Sequence, residues 1–184
     1  MIALKMMSRL AACLAAIGGL VAATPSASSD LGGQETYRCD APNGRFDGHV
    51  FPVPTTATSI TGEISFHAAD IGPEWASLGK ILAHQHGARY SDGDCGCNGI
   101  AIYAYKDHVG FFATTNGEEV SIARSPYDTP ISFKMSISPQ GEMTIAIGKT
   151  NPVVKKMTVH HPEYNTLEMS CSGANVSFLD IATL

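Results

Sequence analysis

Polar and apolar residues alternate strictly through two neighbouring segments, ISFKMSIS (131–138) and EMTIAIG (142–148). Period-two alternation is typical of a β-strand with one buried and one solvated face, because successive side chains point to opposite sides of a strand. Between them, SPQG (138–141) places proline and glycine at turn positions. The two segments therefore predict a β-hairpin.

The same short-strand pattern continues along the chain, separated by Gly, Pro, Asn and Asp. SITGEISFHA (59–68) alternates as clearly as the hairpin, and TYRCDA, GIAIYAY, VGFFATT, EVSIA, VVKKMTV, NTLEMSC and ANVSFLDIATL are also strand-like. EWASLGKILAHQH (74–86) fits either a helical face or a strand from about Leu78, and we favour the strand. About ten short strands with little helix predict an all-β antiparallel sandwich or barrel.

The N-terminus has the layout of a secretory signal peptide. Lys5 and Arg9 precede an uncharged apolar run, Leu10–Ala23, which is too short for a membrane anchor. Small residues follow, and cleavage after Ala23 or Ala27 fits equally well. We therefore predict a signal peptide at 1–27, a flexible lead at 28–35 and one folded domain at 36–184, in a secreted or periplasmic protein.

Charge and hydropathy limit the partners. Without Lys5 and Arg9 the chain keeps ten basic residues against seventeen acidic ones, and no basic cluster remains. Phosphate backbones are bound by clustered Lys and Arg, so we expect no nucleic-acid partner. Beyond the signal peptide no apolar run is long enough for a membrane span. The sequence leaves the oligomeric state open.

Four cysteines follow the signal peptide: Cys39, Cys95, Cys97 and Cys171. An even number in an exported chain predicts disulfides, and four cysteines allow three connectivities. A bridge between Cys95 and Cys97 would close a tight ring. We expect SDGDCGCNG (91–99) to be a disulfide-restrained loop.

The C-terminal third, ISFKMSISPQGEMTIAIG through LEMSCSGANVSFLDIATL, resembles the concanavalin-type jelly roll of lectins, glucanases and several polysaccharide lyases. In this superfamily a returning apolar strand ends the domain, and 175–184 would be that strand. The resemblance implies that the first and last strands lie side by side. It thereby implies a Cys39–Cys171 disulfide.

HQHG (84–87) is the strongest candidate for chemistry, because His84 and His86 share a face if this segment is a strand. WASLGKILAHQHG resembles the Gln-x-His stretch of jelly-roll lyases, with His86 at its His and His84 in place of its Gln. The resemblance implies His86 with Tyr103 or Tyr105 for the proton steps. His84 or Arg89 would neutralise the uronate carboxylate.

Metal-binding interpretations of these segments are weaker. His84 and His86 with HPEYN (161–165) resemble the two halves of the cupin motif, but the expected Glu is missing. Asp92 and Asp94 begin a calcium-loop pattern that fails at its third ligand. We expect no metal and no cofactor. The plainest interpretation of His84 and His86 is two histidines on a surface strand.

Aromatic side chains suggest a binding face, because sugar rings stack on exposed Tyr and Trp. Tyr103 and Tyr105 share one face of IAIYAYK, and Trp75 is the single tryptophan. We therefore predict non-catalytic binding of a glycan or another extracellular polymer through His84, His86, Tyr103, Tyr105 and Trp75. The alternatives are a small polysaccharide lyase and a structural or envelope-interaction protein without a ligand.

Overall fold

The structure, a computed structural model, describes residues 34–72, 76–85, 97–115, 118–159 and 162–184. Every regular secondary-structure element within these residues is a β-strand. The ten strands of this part of the chain are β1 (Glu35–Pro52), β2 (Ile60–Ala69), β3 (Leu78–His84), β4 (Asn98–Ala104), β5 (Val109–Thr115), β6 (Glu118–Ser125), β7 (Ile131–Ile137), β8 (Glu142–Ile147), β9 (Val153–Thr158) and β10 (Thr166–Thr183).

These strands form one continuous antiparallel sheet in the order β6-β5-β4-β3-β10-β2-β7-β8-β9, with β1 paired to β10. The hairpin predicted around SPQG is β7–β8, and the strand predicted from about Leu78 is β3. The all-β antiparallel sandwich of jelly-roll type is thus confirmed.

A bend in two long strands folds this sheet into two layers. β10 pairs with β3 up to Ser172 and with β2 from Ala174, on either side of Gly173, whose φ is +58°. Beside it, the register of β1 shifts between Ala41 and Phe46. We call the layer of β6, β5, β4, β3, the first half of β10 and the second half of β1 layer A. The remaining strands and halves form layer B.

The continuity of β10 corrects the sequence analysis, which predicted two separate strands, NTLEMSC and ANVSFLDIATL. Gly173 interrupts the alternation, a pattern typical of a turn. Its positive φ lets the strand bend there without ending. β1 likewise extends beyond TYRCDA to Pro52, past Gly44 with a φ of +74°.

The hydrophobic core lies between the layers, where β4 and β5 pack against β8 and β9. Alternate residues of each strand supply it, as the period-two pattern requires. Its largest fully buried side chains include Phe66, Phe111, Phe178, Ile81, Ile100, Ile102, Met135 and Met143. The residues that alternate with these lie on the two outer faces, where the candidate sites are.

The implied Cys39–Cys171 disulfide is present, with both residues fully buried. Cys39 lies opposite Val176 and Cys171 opposite Asp47, so the bridge joins β1 and β10 across their bend. Cys97 is also disulfide-bonded. Cys95, the signal peptide at 1–27 and most of the lead at 28–35 lie outside the described residues.

Candidate functional site

The outer face of layer A carries polar groups that are buried although they point away from the core. On β3, Ile81 and Ala83 enter the core, so Leu78, Lys80, Leu82 and His84 lie on the outer face. All four are buried, including the basic side chains of Lys80 and His84. Buried charges in proteins are paired, because leaving water is costly for an ion. Lys80 and His84 therefore need polar partners on this face.

His84, Glu168 and Lys80 form what we call the ionic cluster. β3 and β10 are antiparallel, and the register sets Leu82 opposite Glu168, so Glu168 lies diagonally between His84 and Lys80. Glu168 Oε2 lies 3.6 Å from His84 Nε2. That distance suits an ion pair and is long for a hydrogen bond. The carboxylate thus faces a cation along the strand in each direction.

Hydrogen bonds fix the proton on the other ring nitrogen of His84. Its Nδ1 lies 2.9 Å from the carbonyl oxygen of Gln85, which can only accept, so Nδ1 carries a proton. The Thr166 hydroxyl donates to the His84 carbonyl at 2.7 Å and lies 3.1 Å from Nδ1. Nε2 is therefore the nitrogen that gains or loses a proton, and it faces Glu168.

Each group of the pair shifts the pKa of the other. Contact with Glu168 raises the pKa of His84 above its ordinary 6.5, against the opposing effect of burial, with help from the Gln85 carbonyl. Contact with His84 lowers the pKa of Glu168 below 4.5; the Ser170 hydroxyl and the charge of Lys80 add to this and burial opposes it. The cluster accordingly favours an imidazolium beside a carboxylate.

We expect the pKa of His84, measured by NMR titration, to lie above 6.5, and Glu168→Gln to lower it. Glu163→Gln is the matched control, because Glu163 contacts the neighbouring Gln85 at 3.0 Å; it should leave the pKa of His84 unchanged. Since the folded pKa of His84 is raised, its contribution to stability is complete below pH 6.5 and is lost as pH rises through the folded value. A His84 pKa that Glu168→Gln does not change would contradict the pairing.

Tyr103, Tyr105 and Phe112 form a second feature of this face, the aromatic patch. The Tyr103 and Phe112 rings meet edge to face at 5.5 Å, and Tyr105 stacks on His108 at 4.8 Å. A Cβ on Gly110 would lie 3.0 Å from the rings of both Phe112 and Tyr105, so the glycine leaves room for them over β5.

Polar contacts hold this patch in place. The Tyr103 hydroxyl donates to Glu119 Oε1 at 2.8 Å, and the Tyr127 hydroxyl donates to the carbonyl of Tyr105 at 2.6 Å. Tyr105 is 43% exposed, whereas Tyr103 and Phe112 are half-buried. The arrangement offers ring faces and a carboxylate to an approaching ligand.

The predicted site residues share a face but do not converge on one point. Tyr103 lies opposite Leu78, six residues along β3 from His84, which corresponds to about 20 Å at the rise of a strand. Of the other predicted site residues, His86, Arg89 and Trp75 lie outside the described residues. An extended ligand could contact both ends, whereas one sugar ring could not.

Sequence reasoning missed Lys80 and Glu168. A signal for Lys80 was present, because it is four residues before His84 and thus on the same face of a strand. Glu168 had no such signal, since its place beside His84 depends on the pairing of β3 with β10.

A groove of about 970 Å³ opens at the His84 end of the sandwich. Gln85, the residue after His84, lies in its wall, and Tyr164 donates a hydrogen bond to the Ala57 carbonyl at 3.4 Å. Burial raises the pKa of Tyr164. The wall is rich in hydroxyls and is formed by Thr55, Thr56, Ala57, Thr58, Gln85, Ser136, Ile137, Ser138, Pro139, Glu142, Thr144, Pro162, Glu163, Tyr164 and Asn165.

No group of three or more His, Cys, Asp or Glu side chains in the described residues is placed to hold a metal ion. The same ranges contain no helix of the length and hydropathy needed to cross a membrane.

Comparison with solved structures gives a likeness of fold. SCP-B, a member of the eqolisin family of peptidases in complex with Ala-Ile-His, is 10% identical over 76% of this chain and 78% of that chain, with a TM-score of 0.52. Scytalido-glutamic peptidase with a transition-state analogue inhibitor is 9% identical over 76% and 79%, with a TM-score of 0.51.

A carbohydrate-binding module from Bacillus subtilis is 12% identical over 79% of this chain and 84% of that chain, with a TM-score of 0.45. Neither a family model nor a curated protein matches the sequence. The suspected likeness to the concanavalin-type jelly roll is confirmed as a likeness of architecture, and fold alone does not define activity.

Proposed function

We propose that the protein binds a glycan or another extracellular polymer without changing it, on the outer face of layer A. The aromatic patch, in which Tyr105 is 43% exposed, is the observation that carries this proposal. Sugar rings stack on tyrosine faces, and carboxylates accept hydrogen bonds from sugar hydroxyls. Tyr105 supplies the exposed ring, and Glu119 supplies a carboxylate that is held by the hydroxyl of Tyr103.

The ionic cluster gives this face a second contact region. Glu168 keeps 28% of its side chain exposed, while His84 and Lys80 are buried against it. A ligand along the strands would meet Tyr103 at one end and this carboxylate about 13 Å farther along, since Tyr103 pairs with Leu78 and Glu168 with Leu82. That separation favours an extended polymer over a single small molecule.

To test the binding face, we expect Tyr105→Ala to weaken binding roughly tenfold, or about 1.4 kcal/mol, for a polymer first identified on a glycan array. Val153→Ala is the control, because Val153 is similarly exposed, at 49%, but lies on β9 of layer B. Calorimetric titration of both variants measures the difference. Equal losses for the two variants, or no binding on a broad array, would refute this face.

A second candidate function, cleavage of uronate polymers by β-elimination, keeps the roles that the sequence resemblance implies, with His86 and a tyrosine for the proton steps. Nε2 of His84 is buried and Nδ1 bonds the Gln85 carbonyl, so His84 itself cannot reach a leaving oxygen. New ultraviolet absorbance from an unsaturated uronate product, lost in His86→Ala, would favour the lyase; its absence on alginate and glucuronan would exclude it.

Export completes the proposal, with 1–27 as signal peptide, 28–35 as lead and 36–184 as the folded domain. The Cys39–Cys171 disulfide and the bonded Cys97 support an oxidising compartment. N-terminal sequencing of the exported protein would locate the cleavage site. An intact N-terminus on that protein would contradict the assignment.

A further inference from the structure

Three side chains on the outer face of layer B form a hydrogen-bonded series that we call the Asp–His–Ser array. His67 Nδ1 lies 2.8 Å from Asp128 Oδ1, and His67 Nε2 lies 2.9 Å from Ser177 Oγ. The residues are 61 and 110 positions apart in sequence and come from β2, the loop after β6, and β10. Only the fold brings them together.

The proton positions follow from the partners. The Asp128 carboxylate can only accept, so His67 Nδ1 donates to it. Nε2 of the neutral ring then keeps its lone pair and accepts the hydroxyl proton of Ser177. This is the order of an activated nucleophile: a hydroxyl, a base within hydrogen-bond reach, and a carboxylate that orients the base.

The backbone holds the base and its carboxylate together. Val176 pairs with Phe66 and Asn175 with Ala68, so His67 is the extra residue of a β-bulge, a feature that redirects a side chain. The Asp128 amide donates to the Phe66 carbonyl at 2.9 Å, and Asp128 adopts a φ of 56°. Phe66, the residue before His67, thereby fixes the backbone position of Asp128, which orients the His67 ring.

We propose that Ser177 is the nucleophile of an ester-hydrolysing site that acts on short acyl groups. Ser177 is only 3% exposed, whereas the His67 side chain is 38% exposed, so a small acyl group such as acetyl fits this access better than a long chain. Arg38 lies directly opposite Ser177 on β1 and is exposed. Its guanidinium can stabilise the negative charge that develops on the carbonyl oxygen.

The reaction balances with water as the only co-reactant. Ser177 Oγ bonds to the acyl carbon while its proton moves to His67 Nε2. That proton then passes to the departing alcohol oxygen as the ester C–O bond breaks, which leaves an acyl-serine. Water, deprotonated by the same nitrogen, hydrolyses the acyl-serine, so one ester and one water give one acid and one alcohol.

A fluorophosphonate probe and p-nitrophenyl acetate test the site in the full-length protein. We expect the probe to modify Ser177, identified by peptide mass spectrometry, and p-nitrophenyl acetate to be hydrolysed. His67→Ala should slow both reactions at least about a hundredfold. Ser132→Ala is the control, because Ser132 bonds Glu63 on the same layer and takes no part in the array; it should react at the wild-type rate.

Asp128→Asn separates orientation from folding, because Asp128 is 71% exposed and the change keeps its size. As a positioning residue, Asp128 should affect kcat much more than KM, and Asp128→Glu should restore part of kcat. A folded protein whose Ser177 is not modified, or an Asp128→Asn variant that reacts at the wild-type rate, would overturn the proposal. The array lies on layer B and the polymer-binding face on layer A, so this test is independent of polymer binding.

Discussion

Replacing Cys39 and Cys171 together with alanine is expected to lower the free energy of unfolding by about 5 kcal/mol. The bridge joins residues 132 positions apart, so it closes a loop that contains most of the domain. On the chain-entropy model, a cross-link of that span strongly restricts the unfolded chain. A loss of this size is a large part of the stability of one domain, so we expect the variant to melt well below the wild type.

Reduction of a Cys97→Ala protein provides the control for side-chain volume. In that background a thiol reductant opens the Cys39–Cys171 bridge while both buried side chains keep nearly their full size. Denaturant unfolding of the oxidised and reduced forms then measures the cross-link itself. A difference below about 1 kcal/mol would show that the bridge adds little beyond the pairing of β1 with β10.

The sequence predicts a strand correctly where the alternation of that strand alone identifies it. β7 and β8 alternate strictly around a proline–glycine turn, and both lie in layer B with one face in the core. The bend at Gly173 could not be predicted in this way. Whether a glycine ends a strand or bends it depends on the neighbouring strands, and here β1 and β10 bend together.

The sites could be predicted only in part, for the same reason. Alternation along single strands predicts which face carries His84, Tyr103 and Tyr105. Their separation of about 20 Å depends on the register of β3 with β4. His67 carries no signal of its own within SITGEISFHA, because its partners Asp128 and Ser177 lie on distant elements.

The second large effect on stability is expected from Glu168→Gln in the ionic cluster. We expect this change to lower the free energy of unfolding by about 2–3 kcal/mol, because two buried cationic side chains lose a carboxylate neighbour. We place the effect at the low end for buried pairs because 28% of the Glu168 side chain is exposed. Lys80→Met replaces the buried ammonium with an apolar side chain of similar length, and we expect it to cost less.

A double-mutant cycle isolates the attraction between Glu168 and Lys80. In the Lys80→Met background Glu168→Gln should cost about 1 kcal/mol less than in the wild type, since one cation is already gone. The pair of Lys156 and Glu142 is the matched control, because its 2.8 Å ion pair is exposed on both sides, at 62% and 54%. Its coupling energy should stay below about 0.5 kcal/mol, since solvent screens exposed pairs. If both cycles give the same coupling energy, burial on the outer face of layer A does not strengthen the attraction between Glu168 and Lys80.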